Sequence, residues 1–283
     1  MEQMHIDVVM PTAEISKALN TWLDENLPID IRIRRGMKKG RKVVCFSIYG
    51  STQENIMAKW NALEKLLKKK FMGRAISNKN VLTARFEVAE FDGEFLASFG
   101  KPELRGAWLI YGGSGCGKTT FVMQVCKYLT RFRRVAYNSL EQGLSLSLQK
   151  TWERVNMQEV GNKIILLNKE SLKDLRIRLQ RKQSPDVVVI DSVQYWHGFK
   201  WSDFTNLKDE FPEKLFVFVS HEKGGLPDGK MAQNIRYDSE IKIRVEGYKA
   251  FVTTRYEVPE LGEGGTDFVI WEQGAQDYWV DKM

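Results

Sequence analysis

The sequence predicts an α/β protein with a mostly parallel sheet and helices on both faces, preceded by a small basic α+β segment. Three observations favour this class. Apolar strand patterns follow one another from about residue 104, helical patterns separate them, and the excess positive charge is confined to the start of the chain. Apolar strands joined by helices are typical of parallel sheets. The 283 residues, 43% of them hydrophobic, are enough for two compact domains, which we place at 1–86 and 87–283.

The first segment alternates strand and helix patterns. In chain order these are HIDVVM (strand), TAEISKALNTWLDEN (helix), IDIRIRR and KVVCFSIYG (strands), STQENIMAKWNALEKLLKKKFM (helix) and VLTARFEV (strand). The order β-α-β-β-α-β is that of a ferredoxin-like unit, in which two β-α-β elements are split. We therefore predict a ferredoxin-like module over residues 1–86.

The second segment contains the buried-type strands AWLIYG, RVAYNSLE, KIILLN, DVVVIDS and KLFVFVSH. Helical stretches separate them, which implies parallel strands joined by crossover helices. The last part, SEIKIRVEG, KAFVTTRYEV and TDFVIWEQG, has short linkers that contain glycine. It predicts an antiparallel extension at one edge of the sheet.

Several classes are excluded by composition. No apolar run reaches the roughly 18 to 20 residues that span a bilayer, and the start MEQMHIDVVM lacks the pattern of a secretion signal. We expect a cytoplasmic protein. The cysteines Cys45, Cys116 and Cys126 are odd in number and form no CxxC spacing, so neither disulfides nor structural zinc are expected.

Charge is unevenly distributed along the chain. Residues 1–86 hold 16 Lys and Arg against 8 Asp and Glu, whereas the rest holds 27 against 28. Such an asymmetry favours a polyanion partner for the first segment, although a basic surface also serves solubility.

Residues 112–119, GGSGCGKT, match the phosphate-loop pattern G-x-x-x-x-G-K-[ST] in full. Glycines let consecutive backbone N–H groups point at phosphate oxygens, and the following helix adds the positive end of its dipole. A glycine turn between strand and helix is the alternative, but it explains neither the lysine nor the threonine. The predicted ATP-binding residues are Gly112, Gly113, Ser114, Gly115, Cys116, Gly117, Lys118, Thr119 and Thr120. Lys118 would reach the β and γ phosphates, and Thr119 would ligate Mg²⁺.

Two carboxylates follow apolar strands. The strand PDVVVIDS ends in Asp191, which we predict to be the second-sphere Mg²⁺ ligand. Its successor is Ser192 rather than a glutamate, so the hydrolytic base must lie elsewhere. Glu141 ends the strand RVAYNSLEQ and would face the γ phosphate from the neighbouring strand. The alternative is an ordinary surface glutamate that opens the next helix.

Over roughly residues 87–275 these motifs resemble the RecA-like ATPase superfamily, closest to RadA recombination ATPases and DnaB-type helicases. SLE at 139–141 resembles the helicase motif that holds the catalytic glutamate, and VVVIDSVQ at 187–194 resembles the metal-binding strand of RadA proteins. FVSHEKGG at 218–225 is similar to a RadA segment, with Lys223 one position closer to His221. TTRYEVP at 253–259 resembles a lysine-asparagine-arginine motif in which Arg255 keeps the arginine. The size and the different first segment favour a phage or mobile-element version.

The resemblance implies a homo-oligomer, a ring or a filament, that binds nucleotide between neighbouring subunits. A basic residue of one chain then stabilises charge on the phosphate held by the next. Arg255 is the main candidate for that role and Lys223 the second, whereas His221 would sense the γ phosphate. The alternatives are solvent-facing basic residues and a structural histidine at a strand end.

Three segments are candidates for nucleic-acid contact. In this superfamily two loops face the nucleic-acid path. The first is QYWHGFKWSDF, with Trp196, Lys200 and Trp201, and its rival interpretation is buried packing. The second is EKGGLPDGKMAQNIRYD, with Lys230 and Arg236, predicted as a mobile phosphate-tracking loop. In the first segment, RIRRGMKKGRK predicts a basic hairpin suited to phosphate contacts, with Arg32, Arg34, Arg35, Lys38, Lys39, Arg41 and Lys42.

The sequence thus predicts an ATP- and Mg²⁺-dependent ATPase that acts on DNA, single-stranded DNA first, in recombination, repair or replication. An ATP-switched loader or adaptor with slow hydrolysis is the alternative, and DNA would hardly stimulate its ATPase rate. A small-molecule kinase is a third possibility, but no segment fits the arginine-rich lid that kinases carry over the phosphates.

Overall fold

The computed structural model describes residues 4–11, 31–38, 41–61, 76–256, 258 and 266–280. The chain divides into two compact units, Met1–Ala84 and Arg85–Met283, and each is described by itself.

The first unit contains an antiparallel sheet. Its strands are β1 (Met4–Pro11), β2 (Ile31–Lys38) and β3 (Arg41–Gly50), in the order β1-β3-β2. Residues 53–61 are helical, and Ile56 from this helix is buried together with Phe46 and Ile48 of β3. The helix predicted over residues 12–26 and the rest of the second helix lie outside the described residues.

The predicted fourth strand, VLTARFEV, is wrong. Its start belongs to a short helix, α1 (Asn78–Leu82), and the residues that follow take no regular structure until the next helix begins at Gly93. Ser77 opens this helix because its hydroxyl accepts a hydrogen bond from the Asn80 amide at 3.3 Å. Val81, Leu82 and Phe86 are exposed, so the apolar pattern of this stretch does not mark a strand face buried in a sheet.

The second unit is built on a mixed sheet in the order β12-β11-β10-β4-β8-β7-β5-β6, and β9 pairs with β8. Pairing is parallel from β10 to β6 and antiparallel among β10, β11 and β12. The predicted fold class, a mostly parallel sheet with an antiparallel C-terminal edge, is confirmed. The strands are β4 (Gly106–Gly112), β5 (Val135–Ser139), β6 (Ile164–Asn168), β7 (Val187–Asp191), β8 (Leu215–Lys223), β9 (Leu226–Pro227), β10 (Ile241–Glu246), β11 (Lys249–Thr254) and β12 (Phe268–Val269).

Helices cover both faces of this sheet because its strands are apolar on both sides. In β4, Trp108 and Ile110 face the core formed with α2, α3 and α4, whereas Leu109 faces the core formed with α5, α6 and α7. The helices are α2 (Gly93–Phe99), α3 (Lys118–Leu129), α4 (Leu146–Arg154), α5 (Leu172–Leu179), α6 (Trp201–Glu210), α7 (Lys230–Asp238) and α8 (Glu272–Val280), with 3₁₀ helices at Met157–Lys163 and Val193–Tyr195.

Two predictions about the C-terminal third need correction. The pattern TDFVIWEQG contains the two-residue strand β12, and the chain then enters helix α8 rather than continuing as a strand. The segment predicted as a mobile loop after β8 folds into the β8–β9 hairpin and helix α7, which buries Ala232 and Ile235 against the sheet.

Parallel register brings four strand ends to one edge of the sheet. Gly112 at the end of β4 lies opposite His221 of β8, and Ser139 at the end of β5 lies opposite Asp191 of β7. Ligands of open α/β sheets bind at this carboxyl edge. The fold therefore collects the phosphate loop, Glu141, Asp191 and His221 at one place.

Asp92, the residue before α2, bonds the segment that precedes β4 to helix α3 and the residues that follow it. Its carboxylate accepts hydrogen bonds from Arg131 at 2.8 and 2.7 Å and from the Tyr128 hydroxyl at 2.9 Å. Phe95 stacks on Tyr128 with ring centroids 3.8 Å apart. The Arg131 guanidinium, assisted by Tyr128, lowers the pKa of Asp92 from 3.8 to about 2.

We expect Asp92→Asn to lower the stability of the second unit at pH 7. A carboxyl whose pKa is lower in the folded state stabilises the fold above its unfolded pKa, and this contribution is lost as the pH falls through the folded pKa. The difference in the free energy of unfolding between the wild type and Asp92→Asn should therefore be largest above pH 3.8 and should decrease as the pH falls towards 2. Denaturant unfolding across this range measures it. The exposed Asp209→Asn serves as control, and an Asp92→Asn effect independent of pH would contradict the ion-pair explanation.

Candidate functional site

The phosphate loop leaves β4 at Gly112 and enters α3 at Lys118. Gly115 and Gly117 adopt φ angles of 73° and 96°, which favour glycine, and Gly117 caps the helix. The free N–H groups of the first turn of α3 therefore point out of the helix beside Lys118 and Thr119. Such a helix start attracts anions.

The strand pair β10–β11 supports the loop from outside. A Cβ on Gly112 would overlap the Val245 carbonyl oxygen, so only glycine fits there, whereas Gly113 and Gly115 face open space. The Tyr248 amide donates to the Cys116 carbonyl at 3.1 Å. The Cys116 thiol donates to the Gly113 carbonyl at 3.0 Å. The loop thus keeps an open inner side, which fits a phosphate chain.

Asp191 is buried at the end of β7. Its carboxylate accepts a hydrogen bond from the Tyr137 hydroxyl. Burial raises the pKa of Asp191, and the Tyr137 hydrogen bond and the charge of Lys118 oppose that shift. A carboxyl of perturbed pKa beside a phosphate loop is a candidate functional group. Its oxygens and the Thr119 hydroxyl are the hard ligands that Mg²⁺ prefers.

Glu141 is held beside Asp191. Hydrogen bonds from the Leu140 and Glu141 amides to the Asp191 carbonyl, at 2.7 and 3.1 Å, continue the pairing past the ends of β5 and β7. The Glu141 Oε2 atom accepts from the Ser192 hydroxyl at 3.2 Å and lies 3.0 Å from His221 Nε2. Both side chains of the Glu141–His221 pair remain about one-third exposed, so water can reach them.

Sequence reasoning missed the polar network behind His221. Gln194 donates to the Ser220 hydroxyl at 2.7 Å and to the Asp228 carbonyl at 2.9 Å. Its oxygen accepts from the His221 amide at 3.4 Å. Gln194 therefore joins β8, the segment after β7 and the chain after β9. The sequence signal that could have identified Gln194 is its position three residues after Asp191, which ends a strand at the predicted carboxyl edge of the sheet.

Of the two basic residues predicted to act on a neighbour's phosphate, Arg255 lies apart from the chain's own loop, whereas Lys223 lies at the carboxyl edge, two residues after His221, which pairs with Gly112. Thr254, next to Arg255, pairs with Ile241 in β10, four residues from Val245, which pairs with Gly112. At about 3.3 Å per residue, Arg255, which lies one residue further and opposite Glu240, is on the order of 16 Å towards the opposite edge of the sheet. Its guanidinium pairs with Glu240 at 3.0 Å. Lys223 is exposed at the end of β8.

The first predicted nucleic-acid segment is partly buried. Trp196 is only 6% exposed and stacks on Phe199 with centroids 4.5 Å apart, so its predicted role as a base platform is wrong. Lys200 and Trp201 are exposed at the start of α6. Tyr195 is also exposed, and its ring centroid lies 6.0 Å from that of His221.

The second predicted segment has one exposed basic residue and one that is packed. Lys230 is exposed at the first position of α7. The Arg236 guanidinium lies 6.0 Å from the centroid of the Tyr111 ring and is half-buried. Arg236 therefore packs on the sheet instead of sitting in a mobile loop.

The predicted basic hairpin is formed by β2 and β3. The register places Arg35 opposite Val44 and Lys38 opposite Arg41, and Arg34 and Lys42 also lie in these strands. Arg32 is exposed, with its guanidinium 5.3 Å from the centroid of the Tyr49 ring. Lys39 lies outside the described residues.

Strand, phosphate loop, helix and acidic strand end together define a nucleotide-binding domain of the P-loop class. Residues 108–215 match the sequence model of one family, described as ATPase family associated with various cellular activities (AAA). This stretch extends from β4 to the start of β8 and includes the loop, Glu141 and Asp191. The domain is thus of the P-loop ATPase type. No curated protein matches the chain.

Several solved structures are similar in part to this chain. The flagellar accessory protein FlaH from Methanocaldococcus jannaschii has 16% identity and a TM-score of 0.44 over 59% of this chain and 85% of that chain. The ATPase domain of G40P has 12% identity and a TM-score of 0.42 over 62% and 84%. The KaiC-like protein PH0186 from Pyrococcus horikoshii OT3 has 16% identity and a TM-score of 0.44 over 65% and 93%.

Among the described residues, no helix is both long and apolar enough to cross a membrane.

We expect Gly112→Ala to destabilise the second unit by about 1 to 3 kcal/mol, because the new methyl group meets the Val245 backbone. Gly113→Ala is the matched control, since its Cβ would enter open space, and its effect should stay within about 0.5 kcal/mol. Denaturant unfolding without nucleotide measures both free energies. Equal stability of the two variants would contradict the close contact between Gly112 and Val245.

Proposed function

We propose that this protein is an Mg²⁺-dependent ATP hydrolase that acts on DNA, single-stranded DNA first, in recombination, repair or replication. The observation that carries the hydrolysis proposal is the position of Glu141. It stands at the carboxyl edge beside Asp191, within 3.0 Å of His221 and 3.2 Å of Ser192. A carboxylate so placed, across the edge from the phosphate loop, is suited to orient and deprotonate water.

The chemistry is hydrolysis of the terminal phosphoanhydride bond. Glu141 takes a proton from water, whose oxygen forms a bond to the γ phosphorus as the bond to the leaving oxygen of ADP breaks. Lys118 and the N–H groups at the start of α3 stabilise the charge on the phosphates. Thr119 and Asp191 would hold Mg²⁺, which would supply further positive charge at the phosphates. ADP and phosphate are released.

His221 connects this chemistry to more distant segments. Its ring contacts Glu141, and its amide is bonded to Gln194, which in turn holds the Asp228 carbonyl. A change at Glu141 can therefore reach the segment that precedes Lys200 and the chain between β9 and α7. This path supports coupling between hydrolysis and a ligand bound on that side of the sheet.

DNA as that ligand is supported by residue type and exposure. Trp201 offers an aromatic face, and Lys200 and Lys230 offer positive charge. Independently of this surface, the β2–β3 hairpin of the first unit is rich in lysine and arginine. Aromatic faces bind unpaired bases with little sequence preference, and basic residues contact the phosphates. A homo-oligomer is part of the proposal because Arg255 lies too far from the loop of its own chain and would act on that of a neighbour.

The second candidate function is an ATP-switched loader or adaptor with slow hydrolysis. One observation favours it: the Glu141 Oε2 atom already faces two partners, Ser192 and His221. A carboxylate oxygen that already holds two partners has fewer lone pairs open to a water molecule. Strong stimulation by DNA would favour the first function, and a rate that DNA leaves unchanged would favour the switch.

We expect ATP hydrolysis to rise at least tenfold with single-stranded DNA and to fall about 100-fold or more in Glu141→Gln, since general base catalysis contributes 10² to 10⁴. Lys118→Ala should lose nucleotide binding as well, whereas Glu141→Gln should keep it. Glu153→Gln, an exposed glutamate on α4, is the matched control. Phosphate release and calorimetric binding of ATP give both readouts. Near-normal hydrolysis by Glu141→Gln would overturn the assignment of the base.

We expect Trp201→Ala to weaken binding of single-stranded DNA by about 1 to 3 kcal/mol, the range for a base stacked on an aromatic ring. Its basal ATP hydrolysis should be unchanged. Leu146→Ala removes an apolar side chain that is even more exposed, on the opposite face of the sheet, and serves as control. Fluorescence anisotropy with a labelled oligonucleotide measures the affinity. Equal affinities of the two variants would exclude Trp201 as a base platform.

A further inference from the structure

A cavity of about 760 Å³ begins where the phosphate loop ends. Its volume is in the range of sites for small ligands. Thr120, the last residue of the predicted phosphate-binding set, lines it, and Gln124 lies four residues further along the same face of α3. Tyr128, Phe268, Ile270 and Trp271 also line it, together with charged side chains such as Lys127 and Arg131. The phosphates would occupy the loop, so this space remains for the rest of a nucleotide.

Trp271 offers an aromatic surface on the wall of this cavity. Its side chain is 53% exposed although it lies beside well-packed residues. The Tyr248 ring meets it edge-on, with centroids 5.1 Å apart. An exposed tryptophan of this kind is typical of a binding surface, because it offers a large apolar face that loses little conformational entropy on binding.

Hydrogen bonds fix Trp271 relative to the phosphate loop. The Ile270 amide donates to the Tyr248 carbonyl at 2.9 Å, and the Tyr248 amide donates to the Cys116 carbonyl at 3.1 Å. On the other side, the Ala275 amide of α8 donates to the Trp271 carbonyl at 2.9 Å. The indole and the loop are therefore parts of one connected framework. A platform fixed in this way binds at a low entropic cost.

Gln124 provides a polar group in the same wall. Its Nε2 atom donates to the Ile270 carbonyl at 3.2 Å. Since a carbonyl only accepts, this bond orients the amide and leaves Oε1 as a free acceptor. Oε1 is buried and has no hydrogen-bond partner among the described residues. Oε1 has almost no accessible surface as the side chain stands, so a ligand N–H reaches it only when the Gln124 amide turns towards the cavity. Buried acceptors are normally satisfied, so a ligand that brings this donor favours the turn.

We infer that the cavity between α3 and Trp271 is the nucleobase subsite, and that it selects a base with an exocyclic amino group, adenine before guanine. The base stacks on Trp271, and its 6-amino group gives Gln124 Oε1 the donor it lacks. Guanine would turn its O6 acceptor towards that oxygen. This inference rests on the proposed function, because it assumes that the triphosphate occupies the phosphate loop.

The test compares Mg-ATP with inorganic tripolyphosphate, which carries no base, as calorimetric ligands of the full chain. Trp271→Ala should bind ATP about 5- to 150-fold more weakly, the range that stacking of about 1 to 3 kcal/mol gives. Its affinity for tripolyphosphate should not change. Trp271→Phe, which keeps an aromatic face, should stay within about threefold of wild-type ATP affinity. Gln124→Leu should reduce the preference for ATP over GTP with tripolyphosphate binding unchanged. Tyr237→Ala, an exposed aromatic residue on α7, is the control.

Each outcome decides one of two questions. If the wild type binds neither ligand, the proposed function fails. If it binds both and Trp271→Ala binds ATP as tightly as the wild type, the nucleobase subsite is wrong and the proposed function stands. If Trp271→Ala loses both ligands through misfolding, Trp271→Phe and Gln124→Leu decide. An unchanged preference for ATP over GTP in Gln124→Leu would overturn the role of Gln124.

Discussion

Parallel pairing of β4, β8, β7 and β5 is the constraint on which the site depends. Because these strands run in the same direction and in register, Gly112 comes level with His221 and Ser139 with Asp191. The amides of Leu140 and Glu141 then extend the pairing to the Asp191 carbonyl. Backbone hydrogen bonds, rather than side-chain contacts alone, thus fix the spacing between the candidate base and the candidate metal ligand. A side chain on such a framework is held more accurately than one on a free loop.

The site also carries a cost that packing elsewhere must offset. Asp191 is buried, and burial of a carboxylate is unfavourable unless hydrogen bonds or opposite charge compensate for it. Tyr137 and Lys118 provide part of that compensation. The apolar cores on both faces of the sheet make such a group tolerable, since they supply most of the stability. Glu141 and His221 are more exposed than Asp191, which agrees with the proposed contact between Glu141 and water.

Local patterns predicted the phosphate loop and the strands well, because their signals are dense: glycines at fixed spacing, a lysine, and apolar runs that end in polar residues. The same patterns failed where tertiary contacts decide. Trp196 and Trp201 belong to one aromatic-rich stretch, yet only the first packs against Phe199 and is buried. The glycines in and beside the β8–β9 hairpin predicted a mobile loop, although residues Lys230–Asp238 form helix α7. Gln194 acts through partners that are 26 and 34 residues away in the chain, which no local pattern contains.

The antiparallel extension is more than an edge of the sheet, since it shapes the phosphate loop from outside. Val245 leaves room only for glycine at position 112, and Tyr248 holds the Cys116 carbonyl. Within the same extension, Arg244 pairs with Glu222 at 2.8 Å, next in the chain to His221. The loop and the strand that carries His221 therefore share supports in β10 and the turn that follows it. A displacement of this turn would therefore change both the shape of the loop at Gly112 and the position of the strand end beside Glu141.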